Sequence, residues 1–394
     1  MSYPRTSTTP VYSARNQVEL IQGGAPYFQN LLQLIDSATI SFHLQVYIYD
    51  SDETGTTVGN ALCAAAARGV RVYLLLDGYA SQNLSESFKA TLKESGVQLK
   101  WFKPILRSKN FYFGRRLHHK VAVADGCRAL VGGINISNRY NDLPEQPAWL
   151  DWAVSVSGEA AEQLDRLCVS FWNRSGLPFR GNARQTPARR ELLPNNECLV
   201  RVRRNDWVNR KIEISRSYLE MFKRAEQEIT ILCSYFLPGR LIRMALLKTI
   251  RKGVKTTLII AGDSDISLTK AAERYWYPWL LRLGIRIYEY KPRILHGKIA
   301  VFDHKWVTVG SYNINDISAY ASVELNLDIQ DKAFGEKTHA TLQAIIQKDC
   351  VEITADRFHK TNHVLYQFWH WLNYELYRMI FLLFTFYFRQ RKKE

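Results

Sequence analysis

The chain has 394 residues, enough for two domains of ordinary size, and 46% of them are apolar, so it can build full cores and is neither disordered nor collagen-like. Lysine and arginine (53) outnumber the acidic residues (37), and the formal net charge of +16 points to a polyanionic partner, nucleic acid or anionic membrane, without choosing between them. Six cysteines with no C-x-x-C spacing exclude a disulfide scaffold and a cysteine-ligated zinc site, and read as reduced thiols of an intracellular protein.

In chain order, the polar stretch Met1 to Gln17 carries neither a signal peptide nor a spanning segment. Tyr27 to Ile35 has helical spacing and leads into the strand-like Ile40 to Tyr49. An alanine-rich helix then stops at Arg68-Gly69, with the glycine placed as a C-cap, and Val70 to Leu76 and Gly96 to Phe102 follow as strands. Between Pro104 and Arg116, aromatics interleave with Arg107, Lys109, Arg115 and Arg116, the pattern of a basic interfacial lip. Next comes His118-x-Lys120-x4-Asp125, with Gly132-Gly133-Ile134-Asn135 starting seven residues past the aspartate. A strand opened by Asp151 and a helix from Glu159 to Trp172 close the series.

After Asn173 to Asn196, which is rich in proline, glycine and arginine and has no clean period, the series runs again. Its members are a helix Ile212 to Ala225, Ile229 to Pro238 aligned with Ile40 to Tyr49, a helix ending in Lys252-Gly253, and strands Val254 to Ile260 and Gly284 to Tyr290. They lead to His296-x-Lys298-x4-Asp303, Gly310-Ser311-Tyr312-Asn313, a strand opened by Glu324 and a helix Glu336 to Ile346. Such a long internal repeat predicts an α/β fold of two similar lobes, each a mixed β-sheet flanked by helices, with the active site where the lobes meet. The expected division is a first lobe over 18–172, a basic linker over 173–198, a second lobe over 199–350 and an aromatic amphipathic helix with a basic tail over 364–394.

The duplicated spacing has a chemical reason. Residues i and i+2 of a strand share a face, so His118 and Lys120 emerge together, as do His296 and Lys298, while His119 points the other way and reads as packing. Asp125-Gly126 is a hairpin dipeptide, which puts Asp125 and Asp303 at turns, where they need not touch substrate. Two imidazoles and two ammonium groups supply what displacement at a phosphodiester needs: a nucleophile, an acid for the leaving alkoxide and cations for the non-bridging oxygens. Asn135, Ser311 and Asn313 are candidate neutral donors to phosphate oxygens, and Asp151 and Glu324 are candidate carboxylates to orient the imidazoles. No metal and no cofactor is called for. The other histidines, among them His43, His304, His339 and His370, lie outside the motif.

With both motifs in view, the chain resembles the phospholipase D superfamily. The segments Leu74 to Ser81, Leu117 to Asp125, Tyr235 to Gly239, Leu295 to Asp303 and Val309 to Asn313 are similar to bacterial cardiolipin synthases of the short B type. That resemblance, from about Val18 to Asp349, includes His118, Lys120, Asp125, His296, Lys298 and Asp303 in the catalytic signature. It implies a phosphohistidine intermediate on His118, with His296 as acid and then base. It further implies transfer of a phosphatidyl group to phosphatidylglycerol with release of glycerol. A phospholipase D hydrolase, a phosphatidyltransferase with another acceptor such as serine, or a nuclease of the superfamily would use the same residues.

The C-terminus separates these readings. Val364 to Phe388 is dense in Trp, Tyr, Phe and Leu and precedes Arg-Gln-Arg-Lys-Lys, but Gln367, Asn373 and Glu375 interrupt it and the unbroken apolar run is only Met379 to Phe388. A bilayer span needs about 20 apolar residues, so a helix lying in the membrane interface is expected, with packing on the second lobe as the competing reading. The expected partners are therefore an anionic phospholipid and a membrane surface rather than nucleic acid, with no signal for the oligomeric state. Peripheral or monotopic placement on the inner membrane, the active site facing the cytoplasm, completes the expectation.

Overall fold

A computed structural model describes residues 12–104, 115–175, 182–186, 198–356, 358 and 364–390, with the side chains of the last helix described over 365–382. The chain begins with β1 (Asn16–Gln22), α1 (Ala25–Asp36), β2 (Ser41–Val46), α2 (Glu53–Ala67), β3 (Arg71–Asp77), α3 (Glu86–Glu94) and β4 (Gln98–Phe102). It continues through β5 (Arg116–Leu117), β6 (Lys120–Ala124), β7 (Arg128–Gly132), β8 (Trp152–Gly158) and α4 (Glu159–Arg174). The second half supplies β9 (Leu199–Asp206), β10 (Lys211–Ile212), α5 (Glu213–Arg224), β11 (Glu228–Cys233), α6 (Arg240–Arg251), β12 (Lys255–Ala261), α7 (Ser267–Arg274), α8 (Tyr277–Arg282) and β13 (Arg286–Tyr290). Then come β14 (Lys298–Phe302), β15 (Trp306–Gly310), α9 (Asp316–Tyr320), β16 (Ser322–Gln330), α10 (Lys332–Asp349), β17 (Cys350–Ile353) and α11 (Val364–Gln390).

The repeat read from sequence is a repeat in space. One sheet runs β1-β8-β7-β6-β2-β3-β4, and the other runs β9-β16-β15-β14-β11-β12-β13 between β10 and β17 at its ends. Both mix parallel and antiparallel pairs: β2–β3 and β11–β12 are parallel, β2–β6 and β11–β14 antiparallel. Gly69 and Gly253, both at φ +88, end the equivalent helices α2 and α6 in the left-handed conformation that glycine adopts freely. One alignment needs correcting. Phe42 pairs with Ala124 and Ile229 pairs with Phe302, and since Ala124 and Phe302 each lie four residues past the motif lysine, Ile229 is equivalent to Phe42 rather than to Ile40.

Every residue of β2, β6, β11-facing β14 and nearly every residue of β3 and β12 is buried, as in sheets covered on both faces. Alternate residues serve different cores. Ala122, Ala124 and Leu130 face a core under α1 and α2, whereas Val121, Val123 and Val131 join Ile299, Val309 and Leu327 of the other sheet in a core shared by the lobes. A third core, with Phe222, Ile231, Leu246 and Leu258, lies beneath α5 and α6.

Buried histidines make this packing sensitive to acid. Burial first, then a nearby cation (Arg71 for His43, Lys120 for His119), lowers both imidazoles from 6.5 to about 3. The unfolded chain takes up these protons and the folded chain does not, so the contribution is intact above pH 6.5 and is lost as pH falls toward 3; it amounts to roughly 2 kcal/mol per imidazole by pH 5. Urea unfolding should therefore show a lower midpoint at pH 5 than at pH 7.5, and His119→Gln should flatten that difference.

Of the segment read as linker, 176–181 and 187–197 lie outside the described residues. Its described parts rest on the first lobe, where Asn173 and Ala183 exchange hydrogen bonds and Thr186 meets Ser41 at 2.6 Å. At the far end α11 shows the packing on the second lobe. It packs on α7 and α9 through His370, Asn373 and Tyr377, with Tyr374 stacked on Tyr275 at 4.8 Å, while Leu365, Tyr366, Phe368, Trp369, Trp371, Leu376, Met379 and Leu382 remain exposed. No helix of the described residues is long and apolar enough to cross a membrane.

Candidate active site

Two short crossings between the lobes build the site. Strand β5 leaves its own lobe to pair in parallel with β16, setting Leu117 opposite Val323; one residue further on, His118 Nδ1 meets Glu324 Oε2 at 2.9 Å. The second crossing mirrors the first. Leu150 bridges Leu295, its carbonyl accepts from the amides of His296 (2.8 Å) and Gly297 (2.9 Å), and one residue further on His296 Nδ1 meets Asp151 Oδ2 at 2.6 Å. Each imidazole is thus oriented by a carboxylate of the other lobe. An ionised carboxylate only accepts, so both Nδ1 atoms carry the proton and both Nε2 atoms keep a lone pair. Asp77, from the Leu74 to Ser81 segment, anchors the first crossing by accepting from the Leu117 amide at 2.7 Å.

The two carboxylates have different seats. A Cβ on Gly133 would lie 2.5 Å from Asp151 Oδ1, so glycine there is what admits the aspartate. At the equivalent place in the second lobe stands Ser311, whose hydroxyl donates to Glu324 Oε2 and accepts from the Leu325 amide at 3.1 Å. Ser311 was expected to offer that hydroxyl to phosphate. Its proton instead fixes Glu324.

The ammonium groups close the arrangement. Lys120 Nζ donates to the His118 carbonyl at 2.5 Å and lies 5.3 Å from the centre of the Tyr47 ring; Lys298 Nζ donates to the His296 carbonyl and, at 3.2 Å, to Ser234 Oγ. Burial is the main reason that Lys120 falls to about 7, with Glu324 opposing and Lys298 adding to the fall, and burial likewise lowers Lys298. Burial also lowers both imidazoles, His296 to about 4 with help from Lys298 at 3.1 Å and against the pull of Asp151; His118 is lowered against the pull of Glu324. Lys298 acts on His118 and Lys120 acts on His296, so both motifs share one electrostatic neighbourhood. Sequence reasoning missed the aromatic walls: Tyr47 stands edge-on to His118 at 4.9 Å, and Tyr140 (5.2 Å) and Trp149 (6.1 Å) flank His296. No spacing marks these three.

The remaining signature residues sort by position. Asp125 and Asp303 stand at the hairpin turns, at the opposite ends of β6 and β14 from the imidazoles, and leave the catalytic set. The Asp125 carboxylate accepts from the amides of Thr39, Ile40 and Ser41 and from the Thr39 hydroxyl, and Asp303 accepts from the amides of Glu226, Gln227 and Glu228. Burial would raise the Asp125 carboxyl, but these donors outweigh it and hold it below the usual range. Asp125→Ala should therefore cost about 1 to 3 kcal/mol of stability and leave kcat within a few-fold of the parent, as urea melts and initial rates would check.

Asn135 Oδ1 accepts from the Ile48 amide at 3.1 Å, and Asn313 Oδ1 from the Cys233 thiol at 3.7 Å. His119, between β5 and β6, turns away from the site to Gln45 Oε1 at 3.0 Å. The body of the expected lip, residues 105–114, lies outside the described residues. Two of its arginines do not serve as free basic groups, since Arg115 grips Asp206 through two bonds of 3.1 and 2.8 Å and Arg116 contacts Asp77 at 3.5 Å.

The chain is similar to known proteins along most of its length. Residues 31–168 and 218–349 each match the family model "Cardiolipin synthase, PLD-like domain". Cardiolipin synthase B of Salmonella typhimurium is 34% identical over 341 residues, 86% of this chain and 82% of that protein; its Escherichia coli namesake is 32% identical over 340 residues with the same coverage. Among solved structures, phosphatidylserine synthase of Haemophilus influenzae superposes with a TM-score of 0.70 at 15% identity, covering 87% of this chain and 89% of that one, which is a likeness of fold. With the family model matched twice and sequence relatives along most of its length, the chain belongs to the cardiolipin synthase family of phospholipase D-like proteins.

Proposed function

We propose that this protein is a cardiolipin synthase, a phosphatidyltransferase that joins two phosphatidylglycerol molecules and releases glycerol. The observation that carries this is the pair of crossed histidine-carboxylate contacts with two buried lysines in one site, in a chain whose relatives along 86% of its length bear that name. His118 Nε2, unprotonated because Glu324 holds the proton on Nδ1, attacks phosphorus. The bond to the glycerol oxygen breaks, and His296 gives that oxygen a proton from Nε2. A phosphatidyl-histidine remains. His296, now neutral, takes the proton from a headgroup hydroxyl of the second phosphatidylglycerol, whose oxygen attacks phosphorus and frees His118.

Lys120 and Lys298 balance the charge on the non-bridging oxygens, and the amides of Asn135 and Asn313 add donors. The low affinity of both imidazoles for protons suits the nucleophile in the free enzyme. An anionic phosphodiester in the cleft supplies the charge that favours protonation of His296, and Asp151 at 2.6 Å stabilises the imidazolium formed. The substrate lies in a bilayer, and the exposed aromatic face of α11 beside a basic tail is suited to anionic headgroups. Our reading therefore places the enzyme peripherally on the inner membrane with its cleft toward the cytoplasm.

Chromatography of lipids after incubation with phosphatidylglycerol vesicles tests the reaction. Cardiolipin and free glycerol in equal amounts are expected. Phosphatidic acid would identify a hydrolase, a serine-dependent product a different acceptor, and cleavage of single-stranded DNA in place of lipid a nuclease.

A further inference from the structure

A cluster on the second lobe has no counterpart in the first among the described residues. Glu228 at the start of β11, His304 in the β14–β15 turn and His339 on α10 bring one ligand atom each to within 4.8 Å of one another. His304 Nε2 lies 3.2 Å from Glu228 Oε2, and the two imidazoles face each other with ring centres 4.0 Å apart. Gly335, one helical turn before His339, lets α10 close onto the turn: a Cβ there would lie 2.2 Å from the His304 carbonyl oxygen. The three side chains are half-exposed.

The repeat provides an internal control. Both hairpins turn with two consecutive residues at positive φ, Asp125 (+53) and Gly126 (+65) in the first lobe, Asp303 (+49) and His304 (+54) in the second. Glycine takes that conformation freely, whereas a side chain there is disfavoured by roughly 1 kcal/mol. The residue whose carbonyl receives the turn amide is Ser41 in one lobe and Glu228 in the other. The fold therefore makes this hairpin with glycine and serine, and the second lobe has histidine and glutamate in their places against a third ligand on α10. Local stability does not explain a histidine where glycine fits better.

We propose that Glu228, His304 and His339 form a site for a divalent transition metal of the zinc class, tying the β14–β15 turn to α10 and β11. Two imidazoles and a carboxylate are a ligand set that zinc accepts, with water in the fourth position. Donor atoms on a tetrahedral zinc stand about 3.4 Å apart, so only small side-chain rotations separate the present spacing from a bound one. Strand β14 (Lys298–Phe302) separates this turn from Lys298 by roughly 15 Å, at about 3.3 Å per residue, and His296 lies beyond it, so the metal has no part in the chemistry at the imidazoles.

Equilibrium dialysis of the chelator-stripped full-length protein against Zn2+ tests the site, with thermal melting alongside. The parent should take up one equivalent more than either His304→Gly or His339→Ala, and at a hundredfold excess over Kd its melting temperature should rise by about 4 °C relative to EDTA. Neither variant should show that rise. His304→Gly restores the dipeptide of the first lobe, so it is expected to fold. Equal zinc uptake by the parent and either variant, or a zinc-dependent rise retained in either, overturns the proposal.

Discussion

His118→Ala eliminates cardiolipin formation, by at least about a thousandfold in kcat, and with it any acid-labile phosphoryl adduct on the protein. His296→Ala behaves differently. With a donor whose leaving group needs no proton, such as a nitrophenyl phosphodiester, His118 still attacks, but no base remains to activate the acceptor, so the phosphohistidine accumulates. Mass spectrometry of rapidly quenched protein distinguishes the two. An adduct on the His118→Ala protein and none on the His296→Ala protein would reverse the assigned roles, and activity above a few per cent in His118→Ala would remove the nucleophile altogether.

Asp151→Asn and Glu324→Gln come next in expected size, at about 100-fold to 10,000-fold in kcat with little change in KM. An amide can present N–H to Nδ1 and so push the ring proton onto Nε2, the atom that must carry a lone pair. The crossing makes this informative. Loss at Glu324, a residue of the second lobe, should appear as a fault of His118 in the first, visible as slower adduct formation; loss at Asp151 should appear as a fault of His296, visible as slower release of an adduct already formed. Nitrogen chemical shifts of the two imidazoles give the tautomer directly. If Glu324→Gln left adduct formation at the parental rate, the contact would be structural. Gly133→Ala should imitate Asp151→Asn, since the added Cβ would occupy the place of the carboxylate.

Much of this was legible in the residues. The i, i+2 spacing placed histidine and lysine together, the Asp-Gly dipeptide marked a turn, and the doubled series predicted two similar lobes, each with a mixed sheet, all because these features follow from neighbours in the chain. What was not legible depends on pairs far apart in sequence. Nothing near His118 says that its carboxylate is Glu324 rather than Asp151, a choice made by the pairing of Leu117 with Val323. The alignment of β2 with β11 slipped by two residues because a shift of two keeps every side chain on its face, so alternation cannot detect it. Ser311 and Arg115 looked available to a ligand for a similar reason: the carboxylates that engage them, Glu324 and Asp206, are 13 and 91 residues away.

The crossing also determines what a separated half of this protein would be. Severed from its companion, the leading half keeps the proposed nucleophile with nothing to set its tautomer, and the trailing half keeps the proposed acid in the same condition. Assembly and competence are one event. On the proposed mechanism a phosphoryl-accepting imidazole is poised only when the halves are docked, so an unassembled or half-synthesised chain is safeguarded against reacting with phosphodiesters before its site is whole.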